Sequence, residues 1–189
     1  MNLKKNLIPV KECPICKEKK FINHGSVDGI HPDLLKLCDL IECKNCKHWC
    51  ISKMPKKVFR ENLYKTDSEY VFNKEHRLIQ KKKAINLDNL NINHWVFKFM
   101  KNSKKGNYLE IGTGNGSLLK TFRSHGWHCE GLELQKCFKI KGVFDDIKMI
   151  SKKNKNVLVF HDILEHVTDP VSFVKKFSKC FQINLKLLL

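Results

Sequence analysis

Tyr108-Leu109-Glu110-Ile111-Gly112-Thr113-Gly114-Asn115-Gly116-Ser117-Leu118-Leu119 joins an apolar strand end to three glycines at alternate positions and then to an apolar-periodic helix. Glycine serves where the backbone needs unusual dihedrals or where a ligand must approach with no Cβ in the way. A strand, a glycine turn and a helix in succession set free backbone N–H groups and a positive helix end beside a bound ligand. The spacing selects the ligand. A dinucleotide fingerprint asks for G-x-G-x-x-G/A. Counted from Gly112 its third position falls on Ser117, and counted from Gly114 on Leu119. The pattern is instead Glu-x-Gly-x-Gly-x-Gly. Alone it fits any nucleotide-binding turn, or a plain strand-to-helix turn, so the flanking chain has to decide.

From Lys105 onward the chain alternates strand and helix, the mark of a parallel α/β sheet. The first strand is 107–111, its helix 117–124 is stopped by His125-Gly126, and the second strand is 127–133. Glu133 closes that strand 21 positions after Gly112. An acidic residue there accepts hydrogen bonds from two ribose hydroxyls, which favours a nucleoside ligand. Only Leu134 to Lys141 precede the next strand-like segment, Gly142–Ile147, so the crossover helix is expected to shrink to a turn.

Next comes Asn156-Val157-Leu158-Val159-Phe160-His161-Asp162-Ile163-Leu164-Glu165-His166-Val167-Thr168-Asp169-Pro170. A buried strand, 157–160, delivers polar residues at its carboxyl end, where open α/β sheets bind ligands. His161 and Asp162 stand nearest the strand end, and Glu165 and His166 follow one turn on. The near-neutral pKa of histidine suits His166 to take a proton from an acceptor. Its other reading is a residue that caps or orients the loop. Asp169-Pro170 then opens a helix, 171–180, with Pro at its first turn, and the apolar tail 182–189 reads as a fifth strand or its remnant.

Glu-x-Gly-x-Gly-x-Gly resembles motif I of the class I S-adenosyl-L-methionine (SAM)-dependent methyltransferases, and Asp-x-Leu-Glu-His-Val-x-Asp-Pro resembles the segment after their fourth strand. The resemblance implies a Rossmann-like α/β sheet that binds SAM. Glu110 would meet the amino acid end of the cofactor, and Gly112, Thr113, Gly114, Asn115 and Gly116 would pass under it. Glu133 would hold the ribose, and Asp145 or Asp146 would lie near the adenine. His161 and Asp162 would line the cleft that holds the methyl group and the acceptor, and His166 and Glu165 would carry the catalytic roles. The complete fold of that family continues with further strands. The resemblance therefore implies a C-terminally truncated chain holding the first half of the fold, or a partner chain that completes it, and it leaves the activity of the chain as it stands open.

The amino-terminal region carries a second chemistry. Cys13-Pro14-Ile15-Cys16 and Cys43-Lys44-Asn45-Cys46 are two C-x-x-C knuckles separated by 26 residues. Two intervening residues let both sulfurs of a tight turn face one ion, and two knuckles make a tetrahedral Cys₄ zinc (Zn²⁺) site that holds a segment too small for its own core. Strand-like Leu40-Ile41-Glu42 enters the second knuckle as in a ribbon hairpin. His48 and Cys50, with His24, His31 and Cys38, are the alternative ligands. A closed Cys₄ set is structural, because no position stays open for water or substrate.

The resulting organisation is a zinc-binding, ribbon-like module at 1–56, a helical linker or cover at 57–104, and a SAM-binding Rossmann-like domain at 105–189. Within the linker, Asp67 or Ser68 is expected to cap a helix, 75–87 is helical, and Trp95 to Met100 form an apolar segment. Tyr64 or Tyr70 would approach the substrate by analogy with zinc-ribbon methyltransferases, though packing against the sheet is the simpler expectation for each.

The net charge of +17 resembles that of a nucleic-acid binder, but its make-up argues against one. Arg60, Arg77 and Arg123 are the only arginines, whereas specific base and phosphate readers favour the bidentate arginine fork. Lysines spread along the chain read as solvated faces. No stretch reaches the roughly 18 apolar residues of a membrane span, and the first ten residues lack a signal-peptide apolar region. A soluble cytoplasmic protein is expected, where its nine cysteines serve as metal ligands or buried thiols rather than disulfides. The leading reading is a SAM-dependent methyltransferase acting on a small-molecule acceptor such as a sugar nucleotide or a related metabolite. The alternative is a non-catalytic zinc ribbon on a degenerate Rossmann half that binds nucleic acid or protein. An NAD-dependent oxidoreductase is disfavoured by the glycine spacing.

Overall fold

The computed structural model describes residues 3–27, 38–58, 90–134, 139–152, 155–181 and 183–188. The chain divides into two compact units, Met1–Lys65 with Thr168–Val171, and Thr66–Val167 with Ser172–Leu189.

In the first unit, β1 (Leu7–Pro9) pairs antiparallel with β5 (Lys53–Pro55), and β2 (Phe21–Ser26), β3 (Asp39–Cys43) and β4 (Trp49–Ile51) form an antiparallel sheet in the order β2-β3-β4. Cys43 at the end of β3 stands opposite Phe21, the first residue of β2. The register therefore carries the second knuckle back beside the first, and the hairpin entry expected for Leu40–Glu42 is present. Among the described residues of this unit the buried apolar side chains are Cys13, Cys38, Ile41 and Cys43. Sulfur, not hydrocarbon, occupies its centre.

The second unit is a parallel α/β sheet, as the alternating pattern requires. Its strands are β6 (Asn107–Ile111), β7 (His128–Leu132), β8 (Val143–Phe144), β9 (Lys155–Phe160) and β10 (Ile183–Leu188), in the order β10-β9-β6-β7-β8. Every pairing is parallel. Side chains alternate across each strand, so Tyr108 joins Val157, Val159 and Cys129 on one face, under α1 (Trp95–Met100) and α2 (Ser117–Ser124). Leu109, Ile111, Leu158 and Phe160 join the other face under α3 (Pro170–Cys180), which contributes Phe177. From β6 the chain winds outward through β7 to β8, then returns to start β9 on the opposite side of β6. The strand order reverses between β6 and β9, and in open α/β sheets ligands bind at that switch, beyond the carboxyl ends of the strands.

The third strand is shorter than the segment expected at Gly142–Ile147. It comprises Val143–Phe144, and Asp146 then accepts from the N–H of Lys148 to start a 3-10 turn, Ile147–Met149. The expected reduced crossover falls partly on 135–138, which lie outside the described residues, as do the expected helix at 75–87, its caps Asp67 and Ser68, Tyr64, Tyr70 and His31. The tail expected as a fifth strand or its remnant is β10, aligned along β9 from Ile183 opposite Lys155 to Leu188 opposite Val159. No described helix is long and apolar enough to cross a membrane.

Lys155 departs from the solvated-lysine expectation. It is 2 % exposed, its ammonium pairs with the carboxylate of Glu130 on β7, and that carboxylate also accepts from the N–H of Ser151 at 3.0 Å. A charge is held in the interior only when paired and hydrogen-bonded in this way.

Candidate SAM-binding site and cysteine cluster

Parallel register brings three segments to one edge. Ile111 on β6 is level with Leu132 on β7 and with Phe160 on β9. The next residues of the three strands, Gly112, Glu133 and His161, therefore emerge together at the topological switch.

The glycine turn has the backbone that the sequence demands. Gly112, Gly114 and Gly116 all have positive φ, 77°, 51° and 69°, a region that side chains rarely enter. A Cβ at Gly112 would overlap Ile163, and one at Gly116 would overlap Ile140. The loops after β9 and before β8 thus close down on the turn. At Gly114 a Cβ would meet nothing within 4 Å, so this glycine borders open space, as the cradle of a ligand must. Asn115 accepts from the N–H of Ser117 at 3.0 Å and starts α2. Gly114 N–H donates to Oε2 of Glu133 at 2.7 Å, which ties the turn to the end of β7. Thr113 is 6 % exposed, and its Oγ1 has no hydrogen-bond partner among the described residues. An orphaned buried hydroxyl beside an open glycine fits a site whose polar ligand supplies the missing bond.

Glu110 is buried beneath the turn and accepts from the hydroxyl of Tyr108 at 3.1 Å. Desolvation, with a smaller push from Glu133, raises its carboxyl to about 8 against the opposing hydrogen bond from Tyr108. At neutral pH the group is mostly protonated, and a bound cation would pull it into the ionised form.

At the end of β9, His161 meets a residue that no sequence pattern singled out. His94 caps α1, its Nδ1 accepting from the N–H of Val96 at 3.2 Å, and its Nε2 lies 3.1 Å from Nε2 of His161. Nδ1 of His161 lies 3.4 Å from the carboxylate of Asp162, which takes a left-handed φ of 54°. Desolvation and the neighbouring His161 hold His94 below its ordinary pKa, against the pull of Asp162. Glu165 and His166 sit exposed in the 3-10 turn Leu164–His166, one turn beyond. Asp145 follows β8 at the sheet edge and is exposed.

In the first unit, Cys13, Cys16, Cys43 and Cys46 bring their sulfurs within 4.8 Å of one another. The two cross-knuckle pairs, Cys13 with Cys46 and Cys16 with Cys43, are each 3.5 Å apart and not bonded. The knuckles repeat one geometry. Lys17 donates to Cys13 O and Lys47 to Cys43 O, and both lysines have positive φ, 64° and 62°. The backbone N–H of Glu18 draws the Cys16 thiol down to about 6, against desolvation. Cys46 receives a lowering backbone bond from His48, but desolvation and the other three thiols push it up to about 12. A ready thiolate among close sulfurs is the donor set a soft metal ion needs. Of the alternative ligands, His24 pairs with Glu42 and stacks on Trp49, and the Cys38 thiol faces Lys53 O, whereas burial and the nearby Cys13 and Cys43 push the Cys50 thiol up, which keeps it beside the cluster.

No curated protein matches the chain. A family model described as a methyltransferase domain matches residues 87–189, which span the glycine turn, Glu133 and the His161–Asp162 loop. With the parallel sheet and the ligand-binding edge it builds, this match shows that the chain belongs to the methyltransferase-domain family, the class I SAM-dependent methyltransferases.

Proposed function

We propose that the chain transfers a methyl group from SAM to a small-molecule acceptor, such as a sugar nucleotide or a related metabolite, and that its four clustered cysteines hold one structural zinc ion. The observation that carries the first part is the level emergence of Gly112, Glu133 and His161 at the topological switch. SAM, when bound, supplies a methyl group on a positively charged sulfur. The residues do the rest. Glu110 ionises to take the ammonium, and Thr113 Oγ1 gains the bond it lacks. The N–H groups of the glycine turn would run under the amino acid moiety, Glu133 would receive the ribose hydroxyls, and Asp145 would lie toward the adenine. His161 and Asp162 border the methyl and the acceptor, with Glu165 and His166 on the acceptor side. The acceptor atom would gain the methyl group that SAM supplies and lose a proton. The protein contributes chiefly by holding the two reactants in line.

Isothermal titration calorimetry with SAM tests this reading, with binding expected in the micromolar range typical of enzyme substrates. A folded protein that binds no SAM would sink it and leave the ribbon-plus-degenerate-sheet alternative standing. For the metal, zinc content is expected to fall from one equivalent to near none in Cys43→Ser, and unchanged content would refute the Cys₄ assignment.

A further inference from the structure

The pairing of His94 with His161 joins residues 67 positions apart and has a direction that follows from its ends. Nδ1 of His94 accepts from the N–H of Val96, so that nitrogen carries the lone pair and the ring proton sits on Nε2. His94 Nε2–H therefore donates, and Nε2 of His161 accepts. A neutral imidazole with an accepting Nε2 has its proton on Nδ1, and in His161 that atom faces the carboxylate of Asp162. One hydrogen bond joins His94 to His161, and the Nδ1 proton of His161 faces the Asp162 carboxylate at 3.4 Å. Two convergent imidazole nitrogens at 3.1 Å otherwise resemble a pair of metal ligands, but the cap bond removes the lone pair that His94 would need for a metal. Proton transfer remains as the use of the pair.

We infer that His161 accepts the proton released by the methyl acceptor, and that His94 is a positioning residue that reserves Nε2 of His161 until the acceptor displaces it. The inference rests on the methyltransferase reading and moves the base from His166 to the strand end. The acceptor's X–H bond gives its proton to Nε2 of His161 while the bonding pair stays on X and attacks the methyl carbon. The methyl–sulfur pair leaves on sulfur, and the imidazolium so formed faces Asp162. His94 cannot be the base itself, because its remaining lone pair is spent on the helix cap. The ring of Trp95 stands near that of His161, with centroids 6.5 Å apart.

His94→Asn is the discriminating variant, since an Asn side-chain oxygen still caps a helix but offers nothing to Nε2 of His161. Long-range ¹H–¹⁵N NMR of the full chain, with rings assigned from His94→Asn and His161→Gln, is expected to find Nε2–H on His94 and Nδ1–H on His161. Carbethoxylation by diethyl pyrocarbonate, mapped by mass spectrometry, reads the lone pair of His161. Its rate is expected to rise about five-fold in His94→Asn, the factor set by losing a hydrogen bond of about 1 kcal/mol, with His166 unchanged. Nδ1–H on His94 would overturn the proposal, as would a His161 rate that His94→Asn leaves unchanged while amide spectra show the fold intact. Calorimetry with SAM is a separate arm. Absence of SAM binding with the expected tautomers would defeat the methyltransferase reading, whereas SAM binding with the wrong tautomers would defeat only the assignment of the base.

Discussion

The two units of this chain are held together by different means. Of the four buried apolar residues described in the first unit three are cysteines, and its short strands carry exposed Ile22, Trp49 and Ile51. The second unit has an apolar layer on each face of a parallel sheet, with Phe122 packed against Tyr108, Phe97 and Trp127 at centroid distances of 4.4, 5.3 and 5.5 Å. Burial of hydrocarbon grows too slowly with size to stabilise a small segment, so a small unit needs a cross-link, and four convergent thiols supply the place for one. The sheet has no such need. Its polar features, the glycine turn and the histidine pair, are instead available to bind.

The largest consequence of this contrast concerns the metal. Binding at a structural Cys₄ site is worth about 10–16 kcal/mol, so chelation or Cys43→Ser is expected to unfold the first unit. Amide spectra would then show the β2–β4 resonances collapsing while those of β6, β7 and β9 persist. Equal loss in both units would show that they do not fold separately. Phe122→Ala should do the reverse, costing about 3–5 kcal/mol in the second unit and leaving metal content unchanged, as chemical denaturation followed by sheet resonances would show.

Glu110 gives the second unit a pH dependence of its own. Its carboxyl is raised from 4.5 to about 8. As pH rises above 4.5 the unfolded chain releases this proton while the folded one keeps it, so stability falls until about 8 and is flat beyond. The loss is on the order of a few kcal/mol. Denaturation at pH 5 and pH 8 reads it, and Glu110→Gln is expected to flatten the slope. On the proposed placement of Glu110 at the SAM ammonium, SAM affinity should run the opposite way, strengthening toward pH 8 because that contact would need the ionised form. The smallest effect lies in the knuckles: Lys17→Gly relieves a left-handed backbone at a net gain of about 0.5–1 kcal/mol once the entropy of glycine is charged against it, measurable in thermal melts of the metal-loaded chain.

Local patterns in the sequence anticipated the glycine turn and the cysteine cluster because the physics there is local. A strand that must turn at once into a helix around a ligand needs its glycines in sequence, so Gly112, Gly114 and Gly116 were readable and have the positive φ that the pattern implied. The knuckles were readable for the same reason, since each pair of sulfurs is aimed by one turn. Glu110 and Glu133 were readable as acids at strand ends, but not the condition of Glu110. Its raised pKa comes from burial, with a smaller push from Glu133, and neither the depth of that burial nor the approach of Glu133 can be read from the strand-end pattern. Gly131 was not read at all. It lies mid-strand, and only the packed sheet shows that a Cβ there would strike Thr113.

By itself, then, the chain determined which residues turn, which strands are buried and which sulfurs pair, because backbone dihedrals and side-chain periodicity act over a few residues. The tertiary structure decided everything that depends on register and closure. The parallel alignment of β6, β7 and β9 set Gly112, Glu133 and His161 at one level, the strand reversal made that level a crevice, and packing buried Lys155 against Glu130. The capping of α1 turned His94 toward His161. No local preference encodes a contact across 67 residues; it exists only once the sheet has brought the end of β9 beneath the start of a helix.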